Sequence, residues 1–368
     1  MLAVFGRNAH EFTAFDAAGV TAPFRSAVAN FVFAPAARWD SVWYLTIAHS
    51  GYTSAQSSAM FPLYPLLIHI GALVFGSELI VGLAISLASL LTGFYLLYRL
   101  IELELDQPTA WLTLLLLALC PMSLFFSAVY TESLYLALSV GAIYAARLDR
   151  WAWAGVLGAL AAGTRSAGVL IVVPLALMYW MPRRRLDPSA VWLALVPAGL
   201  LAYLAYYGLS HGQPLAPFNA EAYWGRQFAG PFGALVGAIA ALPRDLSSVI
   251  GGTAGPLAPG DPLSWNAHEL IDLGLLAFTI VGLAGTWRRL PFAYFAYGFV
   301  LLAQATSYPV AAEPLKSVAR YMLVIFPAFV GWALLLRDRP RLRFTVLAVS
   351  GAALVLFSGL WAMWDWVA

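Results

Sequence analysis

Charge is scarce in this chain. Only 10% of its 368 residues are Asp, Glu, Lys or Arg, against about 25% in a soluble domain. With 62% hydrophobic residues and a mean hydropathy of +0.79, most of the chain cannot be solvated by water. Cysteine is nearly missing. Cys120 is alone, which excludes an intramolecular disulfide and argues against a zinc cluster. Inside an apolar run beside Pro121, it reads as a small buried apolar residue. There is no surplus of either sign, since twenty basic and eighteen acidic residues leave a formal charge of +2. Nucleic acid is therefore not an expected partner. Neither an Asp-x-Asp pair nor metal-ligand spacing among His10, His49, His69, His211 and His268 is found, so nothing supports a tightly held metal. Residues Met1 to Arg38 lack the clean apolar core of a secretory signal. Met1 to Gly6 reads instead as the stub of a truncated spanning helix.

What the chain does have is a series of apolar runs of roughly 17 to 23 residues, each suited to about 30 Å of hydrocarbon. They do not alternate in polarity as barrel strands do. The expected fold is all-α: a polytopic transmembrane helical bundle of about ten or eleven spans with outer-face juxtamembrane helices. The candidate spans are Leu79–Leu100, Ala110–Val129, Glu132–Arg147, Trp151–Gly163, Ala167–Trp180, Ala190–Leu209, Leu270–Trp287, Pro291–Ser307, Val318–Leu336 and Phe344–Trp364. Two further stretches, Met60–Gly76 and Phe232–Gly251, carry prolines or charges and are less clear. If both dip into the outer leaflet without crossing, the arginine clusters at 99, 147 and 150, 183 to 185, 288 and 289, and 337 to 343 all fall on one side, as basic loops do on the cytoplasmic face. No repeat or low-complexity tract is visible, so residues 1–368 read as one membrane domain. Within it, 1–78 forms a first outer loop, 79–210 a helical module, 211–269 a second outer loop, and 270–368 the C-terminal helices.

The unusual chemistry gathers on the side opposite the arginine clusters. Asp40, flanked by Arg38, Trp39 and Trp43, opens a short amphipathic helix expected to lie on the membrane at headgroup depth. Partial desolvation would raise the basicity of Asp40, and Arg38 is placed to keep it ionised; a plain interfacial anchor is the alternative. Pro62 and Pro65 suit a helix start. Glu132, after Tyr130 and Thr131, either caps a helix with Thr131 as its N-cap or contacts sugar hydroxyls and shares the acid/base role. Arg165 with Ser166 sits in a Gly-flanked outer turn, and Arg320 with Tyr321 near Lys316 stands at the outer end of another span. These guanidinium groups suit a phosphate or simply snorkel to headgroups. Gln213 and Trp224 lie in a loop mixing aromatics with amides, a composition that suits sugars.

Taken together, Arg38 to Tyr44 with Ile47 to Tyr52, Phe61 to Pro65, Tyr130 to Leu134, Thr164 to Gly168, Gln213 to Phe218 with Trp224, and Ala319 to Pro327 resemble the PIG-V family, within the GT-C superfamily of membrane glycosyltransferases. The matching stretches keep the expected order from about residue 35 to 330. The N-terminus departs, because the family's first spanning helix is missing or reduced.

The resemblance implies a polyprenyl-phosphate sugar donor carrying mannose, used on the extracytoplasmic face of the cell membrane. The acceptor would be a glycolipid, glycan or protein hydroxyl. It also implies Asp40 as the catalytic base, with Arg165 and Arg320 holding the donor phosphate. No cofactor is obligatory in this chemistry, although a divalent cation is compatible with it. A transporter or flippase of a lipid-linked sugar would use the same phosphate site, but the inverted repeats usual for that class are not visible.

Overall fold

The computed structural model of this protein describes residues 17–184, 187–251 and 265–368. The expected helix stub Met1 to Gly6 and Arg185 of one basic cluster lie outside the described residues. Within them every regular element is helical, and the one β-type pairing is an isolated bridge between Arg226 and Val310. The all-α expectation holds. The span count differs: among the described residues five helices are long and apolar enough to cross a membrane, or up to seven if each bent pair is one span.

Local backbone chemistry accounts for much of the shortfall from ten. The expected span Ala110–Val129 is a helix Gln107–Ala118 followed by a 3-10 turn Pro121–Phe126, because Pro121 has no N–H to continue the ladder. The pairs Pro188–Leu195 with Ala198–His211 and Val318–Val324 with Phe326–Leu336 are bent by 42° and 76°, with Pro197 and Pro327 at the breaks. Trp151–Thr164 and Phe292–Ala305 have 14 residues each, short of the roughly 20 that a perpendicular crossing takes. Leu63–Phe75, directly after Pro62, has 13 residues and is likewise too short. Gly233–Ile250, expected to dip without crossing, has 18 residues and passes the length and composition test.

Ion pairs join the charged loops at one end of the bundle. Arg147 pairs with Glu104, which also accepts the Tyr294 hydroxyl at 2.7 Å; Arg183 pairs with Asp149, and Arg337 with Asp106 at 3.4 Å. The helix Glu132–Arg147 has one of these arginines at its end and Glu132 at its start, about 22 Å away at 1.5 Å per residue. Three elements thus run from this basic end to the opposite one: Glu132–Arg147, Trp151–Thr164 leading to Arg165, and the bent segment from Arg320 to Arg337.

Close approach of helices relies on small residues. Trp265–Gly285 and Phe326–Leu336 cross where Gly282 and Gly331 face each other, and a Cβ on Gly331 would overlap the Gly282 carbonyl oxygen. Leu73, Val74, Phe75, Leu209 and Phe344 point outward and are largely exposed, the apolar outer surface a bundle presents to lipid. A buried polar tie crosses the interior: the Tyr297 hydroxyl donates to the Val324 carbonyl at 3.0 Å and contacts Ser139 Oγ at 3.1 Å.

Candidate active site

A cavity of about 620 Å³ opens at the end remote from the paired arginine loops, and Asp40, Arg165 and Arg320 all line it. Each arrives from a different element. Trp39 takes a left-handed conformation (φ 54°), turning the chain so that Asp40 occupies the N-cap of the helix Ser41–Ser50. An N-terminal Asp usually accepts a bond from its own helix. Here the Asp40 side chain makes no capping bond, and Oδ2 instead accepts from Arg320 Nη1 at 2.7 Å.

Tyr130 holds that turn. Its hydroxyl donates to the Arg38 carbonyl at 3.3 Å and accepts the Asp40 backbone N–H at 3.1 Å. Burial pushes the Tyr130 phenol well above its ordinary range, so it stays protonated and can donate. Arg38, expected beside Asp40, lies over the Trp364 ring at 4.1 Å; the partner of Asp40 is Arg320. The two residues are close in sequence, but the left-handed turn at Trp39 separates their side chains.

The helix Ser41–Ser50, expected to lie on the membrane surface, is packed into the bundle. Ser41, Val42, Tyr44, Leu45, Ile47 and Ala48 are buried, leaving His49 and Ser50 exposed. Its sequence is apolar around most of its circumference, so it has no wide polar face to give to water.

Glu132 is 1% exposed and does not line the cavity; it lies behind it. Its Oε1 accepts from Arg165 Nη1 at 3.1 Å and faces Arg320 Nε at 3.3 Å. Thr131 does occupy the N-cap, but its hydroxyl makes no capping bond and faces the Tyr44 hydroxyl at 3.5 Å. The result is a continuous chain, Asp40, Arg320, Glu132, Arg165, with two carboxylates matched by two guanidinium groups. Burying one such charge alone would be costly, and alternation of sign is what makes this burial tolerable. Aromatic faces complete the shell: Arg165 stands 4.9 Å and Arg320 5.0 Å from the Tyr321 ring centroid.

Of the other expected residues, Trp39, Ser166, Trp224, Lys316 and Tyr321 line the cavity. Trp43 stands edge-on to Trp224 at 5.8 Å and props it. Tyr52 and Gln213 do not line it. The Tyr52 hydroxyl donates to the Met60 carbonyl at 2.7 Å within a cluster with Tyr203 and Tyr207, and Gln213 is exposed in the turn before Ala216. Sequence reasoning missed Tyr135, Arg226, Glu313 and Trp366 as cavity residues. Tyr135 was within reach, since it lies one helical turn after Glu132 on the same face. Trp366 had no such signal. It comes from the far end of the chain and meets Trp39 edge-on at 5.4 Å. Among the described residues, no three His, Cys, Asp or Glu side chains converge as a metal-ligand group.

Comparison with known proteins finds similarity in the first half of the chain. A family model described as Mannosyltransferase (PIG-V) matches residues 9–182, which include Asp40, Glu132 and Arg165. The chain is 36% identical to the GPI alpha-1,6-mannosyltransferase 2 of Rattus norvegicus over 154 residues, 37% of this chain and 30% of that protein. It is 32% identical to the Mus musculus protein of the same name over 204 residues, 46% of this chain and 40% of the relative. A GPI mannosyltransferase 2 of Drosophila pseudoobscura pseudoobscura matches at 31% over 108 residues, 26% of this chain and 24% of that protein. The chain thus spans well under half the length of these curated relatives. The family resemblance read from the sequence is borne out over residues 9–182, the stretch that matches the PIG-V mannosyltransferase model.

Proposed function

We propose that the protein is a membrane mannosyltransferase of GT-C type that moves mannose from a polyprenyl-phosphate donor to an acceptor hydroxyl, with inversion, on the extracytoplasmic face of the cell membrane. The observation that carries this reading is the convergence of Asp40 with cationic side chains in one cavity at the end of the bundle away from the arginine-rich loops. Basic loops mark the cytoplasmic side, and their pairing at the other end supports this assignment of faces.

In the proposed reaction the acceptor oxygen attacks C1 of the sugar from the side opposite the phosphate. The bond from that oxygen to C1 forms as the bond from C1 to the phosphate oxygen breaks. The acceptor proton passes to Asp40, whose Oδ2 is engaged by Arg320 while Oδ1 accepts no hydrogen bond from the described residues. Polyprenyl phosphate leaves with its charge stabilised by the cationic wall, the type of preorganised electrostatics that lowers such barriers. Glu132 acts from behind as a positioning residue for both guanidinium groups. A divalent cation is not required by this scheme, because the leaving group is already a phosphate and arginine or lysine can neutralise it.

Incubating the purified chain with polyprenyl-phosphate-mannose and a glycolipid, glycan or peptide acceptor tests the proposal. Released polyprenyl phosphate together with an extended acceptor is the expected result. Movement of the intact donor between leaflets without release would point to a flippase, a reading the family match does not favour.

A further inference from the structure

The cavity holds four cationic side chains in two groups, and they are not equally available to a ligand. Arg320 is engaged on three sides: Nη1 bonds Asp40 at 2.7 Å, Nη2 bonds the Tyr321 hydroxyl at 3.2 Å, and Nε is ion-paired with Glu132 at 3.3 Å. Arg165 shares the same Glu132, which is 1% exposed. Drawing either arginine away would leave a buried carboxylate without its counter-charge, the expensive way to break a buried pair.

The second group is Arg226 and Lys316. Two loops bring them together through backbone bonds, from Gln227 N–H to the Pro309 carbonyl at 3.3 Å and from Ala229 N–H to the Ser307 carbonyl at 2.9 Å. Arg226 Nη2 then donates to the Lys316 carbonyl at 2.9 Å, which fixes the guanidinium beside that lysine. The carboxylate facing Arg226 is Glu221, 3.6 Å from Nε and 40% exposed. Arg226 itself is 10% exposed, but a contact beyond hydrogen-bond length to a half-exposed carboxylate is weakly held and readily exchanged. Lys316 is 41% exposed and bonds the buried Glu313 at 2.8 Å; an ammonium has three donors and that contact occupies only one, so a ligand can be met without drawing the lysine from its carboxylate. The ring of Tyr321 lies between the groups, 4.9 Å from Arg165 and 5.9 Å from Arg226.

The geometry points to Lys316 and Arg226 as the phosphate subsite of the cavity, while the Asp40, Arg320, Glu132, Arg165 chain organises the acceptor side. This reassigns the phosphate from Arg165 and Arg320, where the family resemblance had placed it. It rests on the glycosyltransferase reading above and divides that cavity into two halves, with Tyr321 as the wall between them. The ligand is a phosphate ester carried on a lipid.

The test measures binding of farnesyl phosphate, farnesol and inorganic phosphate to the full chain in phosphatidylcholine nanodiscs. The wild type is expected to prefer farnesyl phosphate over farnesol. Lys316→Gln and Arg226→Gln should each weaken farnesyl phosphate binding about tenfold, the loss of one charge-assisted hydrogen bond, and leave farnesol unchanged. Lys316→Arg should restore the affinity, which a misfolded loop would not do. If Arg165→Gln or Arg320→Gln weakens farnesyl phosphate while Lys316→Gln does not, the reassignment is overturned and the proposed function stands. No preference for the phosphate by the wild type would overturn both. Displacement by equimolar inorganic phosphate, or loss of the preference in phosphatidylglycerol discs, would assign the pair to a free anion or to headgroups and overturn the lipid-linked source.

Discussion

Arg320 Nη1 and Asp40 Oδ2 meet at 2.7 Å although 280 residues separate them in sequence. The bond ties the turn before the helix Ser41–Ser50 to the kinked segment Val318–Val324. It does so at a cavity wall, where a carboxylate with one oxygen engaged keeps its orientation while the other stays open to a substrate. The proposed chemistry and the tertiary closure of the chain therefore depend on the same contact.

Removing the base without removing its shape isolates its chemical role. Asp40→Asn keeps an oxygen for Arg320 but cannot take a proton at neutral pH. Transfer should fall by about 10²- to 10⁴-fold, the usual worth of general base catalysis, with donor binding nearly unchanged. A steady-state rate within a few-fold of wild type, measured as released polyprenyl phosphate, would remove Asp40 from the mechanism.

Glu132 should behave differently, because it lies behind the cavity. Glu132→Gln leaves Arg165 and Arg320 facing a single carboxylate, and breaking a buried charge balance of this kind costs about 3–5 kcal/mol. A clear drop in thermal midpoint in detergent is expected, together with lost activity. Full stability with lost activity would instead indicate direct contact with substrate.

Most of the cavity's chemistry was legible in the sequence, and its connectivity was not. Asp40, Arg165 and Arg320 stood out as charges in a chain that has few, at positions where topology does not call for them. Their pairing could not be read, because the contact between Asp40 and Arg320 depends on a left-handed turn at Trp39 and a 76° break before Phe326. Apolar runs gave the helical class but overcounted the spans, since an apolar residue looks the same in an α-helix and in the 3-10 turn Pro121–Phe126. Arg226 and Trp366 were invisible as site residues for a related reason: a backbone bridge and an aromatic contact, neither with a sequence signature, bring them in.

Arg320 gives a sharper test of geometry than of charge. Arg320→Lys keeps the cation but loses the fork that reaches Asp40, Glu132 and the Tyr321 hydroxyl together. Turnover should fall at least tenfold with little recovery of the wild-type rate at saturating acceptor. If lysine supports wild-type turnover, a point charge suffices and the forked arrangement is incidental.

Tyr130 offers a test that combines structure and pH. Its hydroxyl fastens the Arg38 carbonyl and the Asp40 N–H, so Tyr130→Phe removes two hydrogen bonds worth about 1–3 kcal/mol together. The turn should loosen, lowering turnover more than donor affinity, since the base moves and the phosphate subsite does not. In the wild type, burial raises the phenol well above its ordinary 10.0. The folded protein then holds that proton where an unfolded chain would release it, so this group contributes no pH dependence below about pH 10 and destabilises the fold as pH rises further. A wild-type stability that rises between pH 8 and 10, with a rise that Tyr130→Phe abolishes, is the sign of a phenol that ionises more readily folded than unfolded and would contradict the buried, protonated phenol on which the positioning of Asp40 depends.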